Sequence, residues 1–139
     1  MTVNLEALPA DVRLAVEAAQ NKKAAGIVVL DLGRLGAFTG HFIICTGFSS
    51  RQVQAISDAI EEQFAGARRV PRHREGLPSA EWVLLDFGGF LVHVFSEAAR
   101  RYYDLERLWR TAKRLEIPDE PADARLGGPD AAANGVVSR

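Results

Sequence analysis

A chain of 139 residues, 47% hydrophobic and 25% charged, has room for one core and the composition of a globular domain, which excludes a disordered or fibrous protein. Its single cysteine, Cys45, excludes an internal disulfide and a cysteine-based zinc site, and His41, His73 and His93 are too scattered for a ligand spacing, so no metal or cofactor is indicated. A net charge of −1 argues against binding nucleic acid through a bulk field, and no apolar run nears the roughly 20 residues of a membrane helix, so a cytoplasmic setting without a membrane partner is expected.

Leu8, Val12, Ala15, Val16 and Ala19 recur at helical spacing, and Pro9 suits a first turn, which predicts an amphipathic helix over 8–23. Residues 27–32 (IVVLDL) read as a strand buried on both faces. Gly33, Gly36, Thr39 and Gly40 mark a loop, and 41–46 (HFIICT) a second strand. Ser49 and Gln52 have capping-box spacing ahead of Val53, Ile56, Ile60 and Phe64, the buried stripe of a helix ending near Gly66. Past a basic stretch, 82–87 (WVLLDF) and 90–95 (FLVHVF) flank Gly88-Gly89, predicting a tight hairpin with a type I′ turn. Ser96 caps a helix expected from 97 to about 115, with Tyr102, Leu105, Leu108 and Trp109 on one stripe. A domain over 1–117 and a mobile C-terminal tail over 118–139 complete the reading. The order predicts an α+β (mixed α/β) domain around one central sheet flanked by helices.

Candidate chemistry is sparse. Cys45 shares a strand face with His41, but strand positions four apart are separated by about 13 Å, too far for a nucleophile and its base, so Cys45 reads as structural. His93 alternates with Leu91 and Phe95 and faces Asp86 or Trp82 across the hairpin, which suggests a satisfied histidine in a half-buried pair. The turn 47–51 (GFSSR) could receive a phosphate on backbone N–H groups, yet the paired carboxylates that phosphoryl chemistry requires are missing after the second helix, and Asp86 is a lone acid. Gly47 and Ser49 therefore read as a helix cap. Arg68, Arg69, Arg72, His73 and Arg74 could touch an RNA backbone at the rim of a protein contact, though such runs are more often solvated faces.

The stretches IVVLDL, FIICTGFSSRQVQAISDAI, EGLPSAEWVLLDFG, VHVF and RRYYDLERLW, in that order over roughly residues 8–110, resemble the ribosomal silencing factor (Iojap) family. The resemblance implies a nucleotidyltransferase-like fold without enzymatic activity. It also implies a translational repressor that binds a ribosomal protein on the large subunit's joining face, blocks docking of the small subunit and lowers translation when nutrients are scarce. Two positions depart from the family pattern. Gly40-His41 stands where an acidic residue and a tyrosine are usual, and Gly88-Gly89 where glycine and aspartate are usual.

A blocking protein requires a patch with aromatic anchors and a polar rim. Trp82, Leu84 and Asp86 alternate onto one hairpin face, and with His93, Tyr102, Tyr103, Leu105 and Trp109 they form the expected partner surface. Trp82, Tyr102 and Tyr103 rank ahead of Trp109, whose helical spacing also fits a core residue. Trp82 is expected to be an anchor whose truncation weakens binding and spares melting. The same surface could pair with a second copy of the chain. A nucleotide-binding or nucleotidyltransferase-type enzyme and a ribosome assembly factor stand as the alternative functions.

Overall fold

A computed structural model of the chain describes residues 5–76 and 81–119. After a 3₁₀ turn at Leu5–Ala7 come α1 (Ala10–Asn21), β1 (Ala25–Asp31), β2 (His41–Gly47), α2 (Ser50–Ala65), β3 (His73–Glu75), β4 (Trp82–Asp86), β5 (Phe90–Ser96), α3 (Glu97–Tyr103), α4 (Leu105–Leu108) and β6 (Lys113–Glu116). The strands form one mixed sheet in the order β3-β4-β5-β2-β1-β6. Among the described strands only β2 and β5 run parallel, and a parallel pair requires a crossover, whose helix is α2. The mixed α/β architecture is therefore the expected one, with two strands beyond those the sequence predicts.

Both faces of the central strands are buried, which explains their nearly unbroken apolar runs. On one face, Val12 and Val16 of α1 and Val53, Ile56, Ile60 and Phe64 of α2 pack over Ile27, Val29, Ile43, Cys45, Val83, Leu85, Val92 and Val94. On the other, Val28, Leu30, Phe42, Ile44, Leu91 and Phe95 lie under much shorter cover, because α3 spans 7 residues and α4 only 4. Trp82, Leu84, Leu105 and Trp109 pack against that second cluster and stay partly open to solvent. This asymmetry between a thick and a thin layer positions the candidate site.

Four local expectations change. The helix predicted from 97 to 115 stops at Tyr103, because Asp104 takes a left-handed conformation (φ 48); a short polar side chain tolerates that region better than most. The chain then makes one short helix and returns as β6 along β1, pairing Val29 with Leu115 and Asp31 with Lys113. In the basic stretch, His73–Glu75 pairs with β4 as an edge strand. At the hairpin, Gly88 alone has positive φ (92), so the turn is not type I′, which would require it at Gly89 as well. Finally, Gln52 reaches past the cap residue to accept from the Phe48 N–H at 2.7 Å, while its amide donates to the Lys22 and Lys23 carbonyls and ties α2 to the end of α1.

The two family departures meet in space. Gly40 N–H donates to the Gly89 carbonyl at 3.0 Å, and a Cβ on Gly40 would lie 3.1 Å from that oxygen. Thr39 Oγ1 adds a bond to the Gly88 carbonyl at 3.0 Å. The β1–β2 loop is thus fastened to the hairpin turn by a close backbone approach at Gly40 and by the Thr39 hydroxyl. Of the predicted tail, Pro118 and Asp119 are still attached to the domain, Asp119 accepting from the Gly26 N–H at 3.1 Å; residues 120–139 lie outside the described residues.

Candidate functional site: an aromatic face

Alternation along β4 puts Trp82, Leu84 and Asp86 on the thinly covered face, with Val83 and Leu85 turned into the main core. Opposite them on β5 stand Phe95, His93 and Leu91, and beyond on β2 is Phe42, paired with Leu91. Ring contacts link these residues into one continuous series. Tyr102 meets Tyr103 edge-on at 5.0 Å, Tyr103 lies 4.5 Å from Trp82, and Trp82 is 5.9 Å from His93. His93 is 4.7 Å from Phe42, which contacts Trp109 at 5.5 Å and Phe38 at 6.4 Å. At both ends the series emerges into solvent, with Tyr102 82% and Tyr103 51% exposed at one and Phe38 73% exposed at the other. Leu108 on α4, 74% exposed, adds an aliphatic surface. Amphipathic rings of low side-chain entropy are what protein interfaces favour.

The expected partner residues divide by burial. Tyr102 and Tyr103 are free to touch a partner, and Trp82, Leu84, Leu105 and Trp109 present partial surfaces while packing on the cluster beneath. Trp82 is not the freely exposed anchor expected from sequence, since its indole N–H donates to His93 Nδ1 at 3.2 Å and its ring packs on Phe95 at 5.0 Å. His93 is only 4% exposed, so it supports the face from below and has almost no surface to offer. Burial drives its pKa down from 6.5 to about 4, which keeps the ring neutral with Nδ1 as acceptor. Asp86 accepts from the Gly88 N–H at 2.8 Å and faces Arg72 at 3.8 Å, holding the hairpin turn. The single stripe expected of Tyr102, Leu105, Leu108 and Trp109 is split by Asp104: Leu105 and Trp109 pack inward, and Tyr102 and Leu108 face solvent. Sequence reasoning missed Phe42 and Phe38. Phe42 was accessible through its alternation with Ile44, whereas Phe38 sits in a loop with no period to read.

The thin layer is held by a charge cluster at the far edge. Arg100 donates through Nε and Nη2 to both oxygens of Glu106 at 3.0 and 3.1 Å, and through Nη1 to the Gly26 carbonyl at 2.6 Å and Thr46 Oγ1 at 3.0 Å. Arg114 of β6 reaches the same carboxylate at 3.0 Å. Burial works to raise the Glu106 pKa, but hydrogen bonds and charge from Arg100, then Arg114, outweigh it and hold the carboxyl below its ordinary value. The left-handed Asp104 is what turns Glu106 back under Arg100.

The other candidates resolve into structural roles. Cys45 is wholly buried and its thiol is pushed up to about 12, mainly by burial, so the nucleophilic thiolate is strongly disfavoured. At the 47–51 turn, Ser49 accepts from the Gln52 N–H at 3.0 Å, and a Cβ on Gly47 would come within 2.9 Å of the Val53 backbone N, so the glycine serves close packing of strand and helix. The basic stretch is largely neutralised from within. Arg69 pairs with Asp11 at 3.5 Å and lies over Phe64, Arg72 pairs with Asp86, His73 with Glu75, and Arg74 with Asp58 and Glu61. Arg68 alone of the five has no acidic partner among the described residues. No group of three or more potential metal-ligating side chains occurs among the described residues, and no helix there is long and apolar enough to cross a membrane.

Comparison with known proteins gives a consistent result. A family model described as "Ribosomal silencing factor during starvation" matches residues 5–136. Proteins named ribosomal silencing factor from Halalkalibacterium halodurans and Bacillus subtilis are 38% and 39% identical to this chain over 105 residues, covering 76% of it and 90% and 89% of themselves. A crystal structure from Chromobacterium violaceum superposes with a TM-score of 0.69 at 35% identity, covering 81% of this chain and 88% of that one.

Proposed function

The chain belongs to the ribosomal silencing factor family, and on that premise we propose that it represses translation by occupying the large ribosomal subunit, through the aromatic face, so that the small subunit cannot join. The ring series from Tyr102 to Phe38, exposed at both ends and partly open at Trp82 and Trp109, carries this reading, because a protein that acts by occupancy needs a preformed apolar patch with a polar rim. Its partner is a protein on the joining face, its setting the cytoplasm and its physiological context nutrient limitation. Catalysis has no part in this reading, which the burial of Cys45 as a thiol and the use of the 47–51 turn as a helix cap support.

Sedimentation of the full chain with separated subunits tests this. Co-migration with large subunits, and loss of whole ribosomes when small subunits are added afterwards, is expected. A chain that stays at the top of the gradient contradicts the proposal. Binding to precursor particles with normal joining of mature subunits would instead indicate an assembly factor, and self-association that hides the aromatic face a homodimer.

A further inference from the structure

A cleft of about 480 Å³ opens between the β1–β2 loop and the segment joining α4 to β6, lined by Asp31, Arg34, Leu35, Thr111, Ala112 and Lys113. Arg34 and Lys113 are exposed and have no acidic partner among the described residues, in contrast to the largely paired 68–74 stretch. Asp31 is the one carboxylate among the described residues of the lining, and its Oδ1 is engaged by the Gly33 N–H at 3.0 Å. Just before Thr111, the side chain of exposed Arg110 donates, among the described residues, only to the Arg107 carbonyl, at 3.3 Å. Three residues beyond Leu35 on the same loop stands Phe38, 73% exposed at the end of the aromatic series.

We propose that this cleft receives the phosphate backbone of RNA, with Phe38 as a stacking surface for a neighbouring base. The inference rests on the ribosomal reading above and extends it, moving the RNA contact away from the 68–74 stretch. Charge complementarity selects the occupant: unpaired cations line the cleft itself, and an exposed ring lies beside them, the pairing of electrostatic groove and stacking platform that suits unstacked nucleotides. An acidic protein segment would satisfy the cations, whereas only an unstacked base pairs that charge with flat stacking on the face of the adjoining ring.

The test exploits Cys45, whose complete burial leaves an introduced surface cysteine as the accessible thiol. A photoreactive maleimide is attached to the Phe38→Cys chain, the labelled chain is sedimented with large subunits, and the adducts are irradiated and digested. Leu35→Cys carries the same probe if the first change disturbs the loop, and Val70→Cys serves as a remote control. Nuclease-sensitive adducts from position 38 or 35, absent from position 70, are expected. In parallel, Arg34→Glu with Lys113→Glu should weaken subunit binding about tenfold and lower the log-log salt slope by about 1 to 2. Adducts with ribosomal protein alone, or no adduct and an unchanged slope in a complex that still forms, would overturn the proposal. Failure of the unlabelled chain to co-migrate would show separately that the ribosomal reading has failed, and the RNA contact with it.

Discussion

Trp82 joins the surface to the core. Its partly open ring links the exposed tyrosines to the buried middle of the series, while its N–H satisfies the buried Nδ1 of His93. Trp82→Phe keeps most of the ring and strands that acceptor, so a loss of about 1 to 3 kcal/mol in denaturant melts is expected. Trp82→Ala should add cavity and packing losses, which makes it a poor probe of binding. His93 gives the pair a pH signature. An unfolded imidazole protonates near 6.5 and the folded one near 4, so in between the unfolded state binds more protons and stability falls as pH drops. The loss should total about 3 kcal/mol across that window, and be absent in His93→Gln; a flat profile between pH 6.5 and 4 in the native chain would contradict neutral burial. The sequence anticipated His93 facing Asp86 or Trp82 across the hairpin in a half-buried pair; its near-complete burial, and an Nε2 without a partner among the described residues, were not legible there.

At the level of elements, α3, α4 and β6 form a compact return that the amino-acid pattern disguised as one helix. The apolar spacing of Tyr102, Leu105, Leu108 and Trp109 fits 3.6 residues per turn, and nothing in the composition of 97–115 announces the left-handed Asp104 or the pull of β1 on Lys113–Glu116. Tertiary pairing and a partly buried ion cluster decided the matter, just as pairing with β4 drew an edge strand, His73–Glu75, out of a basic stretch with no predicted element. Elements whose pattern agrees with their environment, such as α2 and the strands β2 and β5, were legible nearly to their ends. Glu106→Gln tests the role of the ion cluster. It removes the charge that Arg100 and Arg114 share, and should cost about 1 to 3 kcal/mol at neutral pH. Because the folded carboxyl titrates below its ordinary value, its contribution is present above that value and is lost as pH falls through the folded one. Urea titrations should therefore show the native and variant stabilities converging in acid.

For the whole molecule, the sheet is thick on one side and thin on the other. Two long helices seal the face that carries Cys45, while 7 and 4 helical residues leave the opposite rings partly bare. The sequence placed Trp82, Leu84 and Asp86 on one face through β4 alternation and pointed to the aromatics of α3, but not to the extent of the ring series, because Phe38 reaches Phe42 from a loop with no period to read, held to the hairpin by Thr39 and Gly40. Exposed residues separate binding from folding most cleanly. Tyr102 and Leu108, 82% and 74% exposed, can be removed together as Tyr102→Ala with Leu108→Ala at little cost to stability. The most direct measurement is the affinity of that variant for isolated large subunits beside its thermal melt. An unchanged melt with affinity reduced by about 2 kcal/mol or more, roughly thirtyfold, is predicted; native affinity in a normally folded variant would contradict the claim that this face makes the contact.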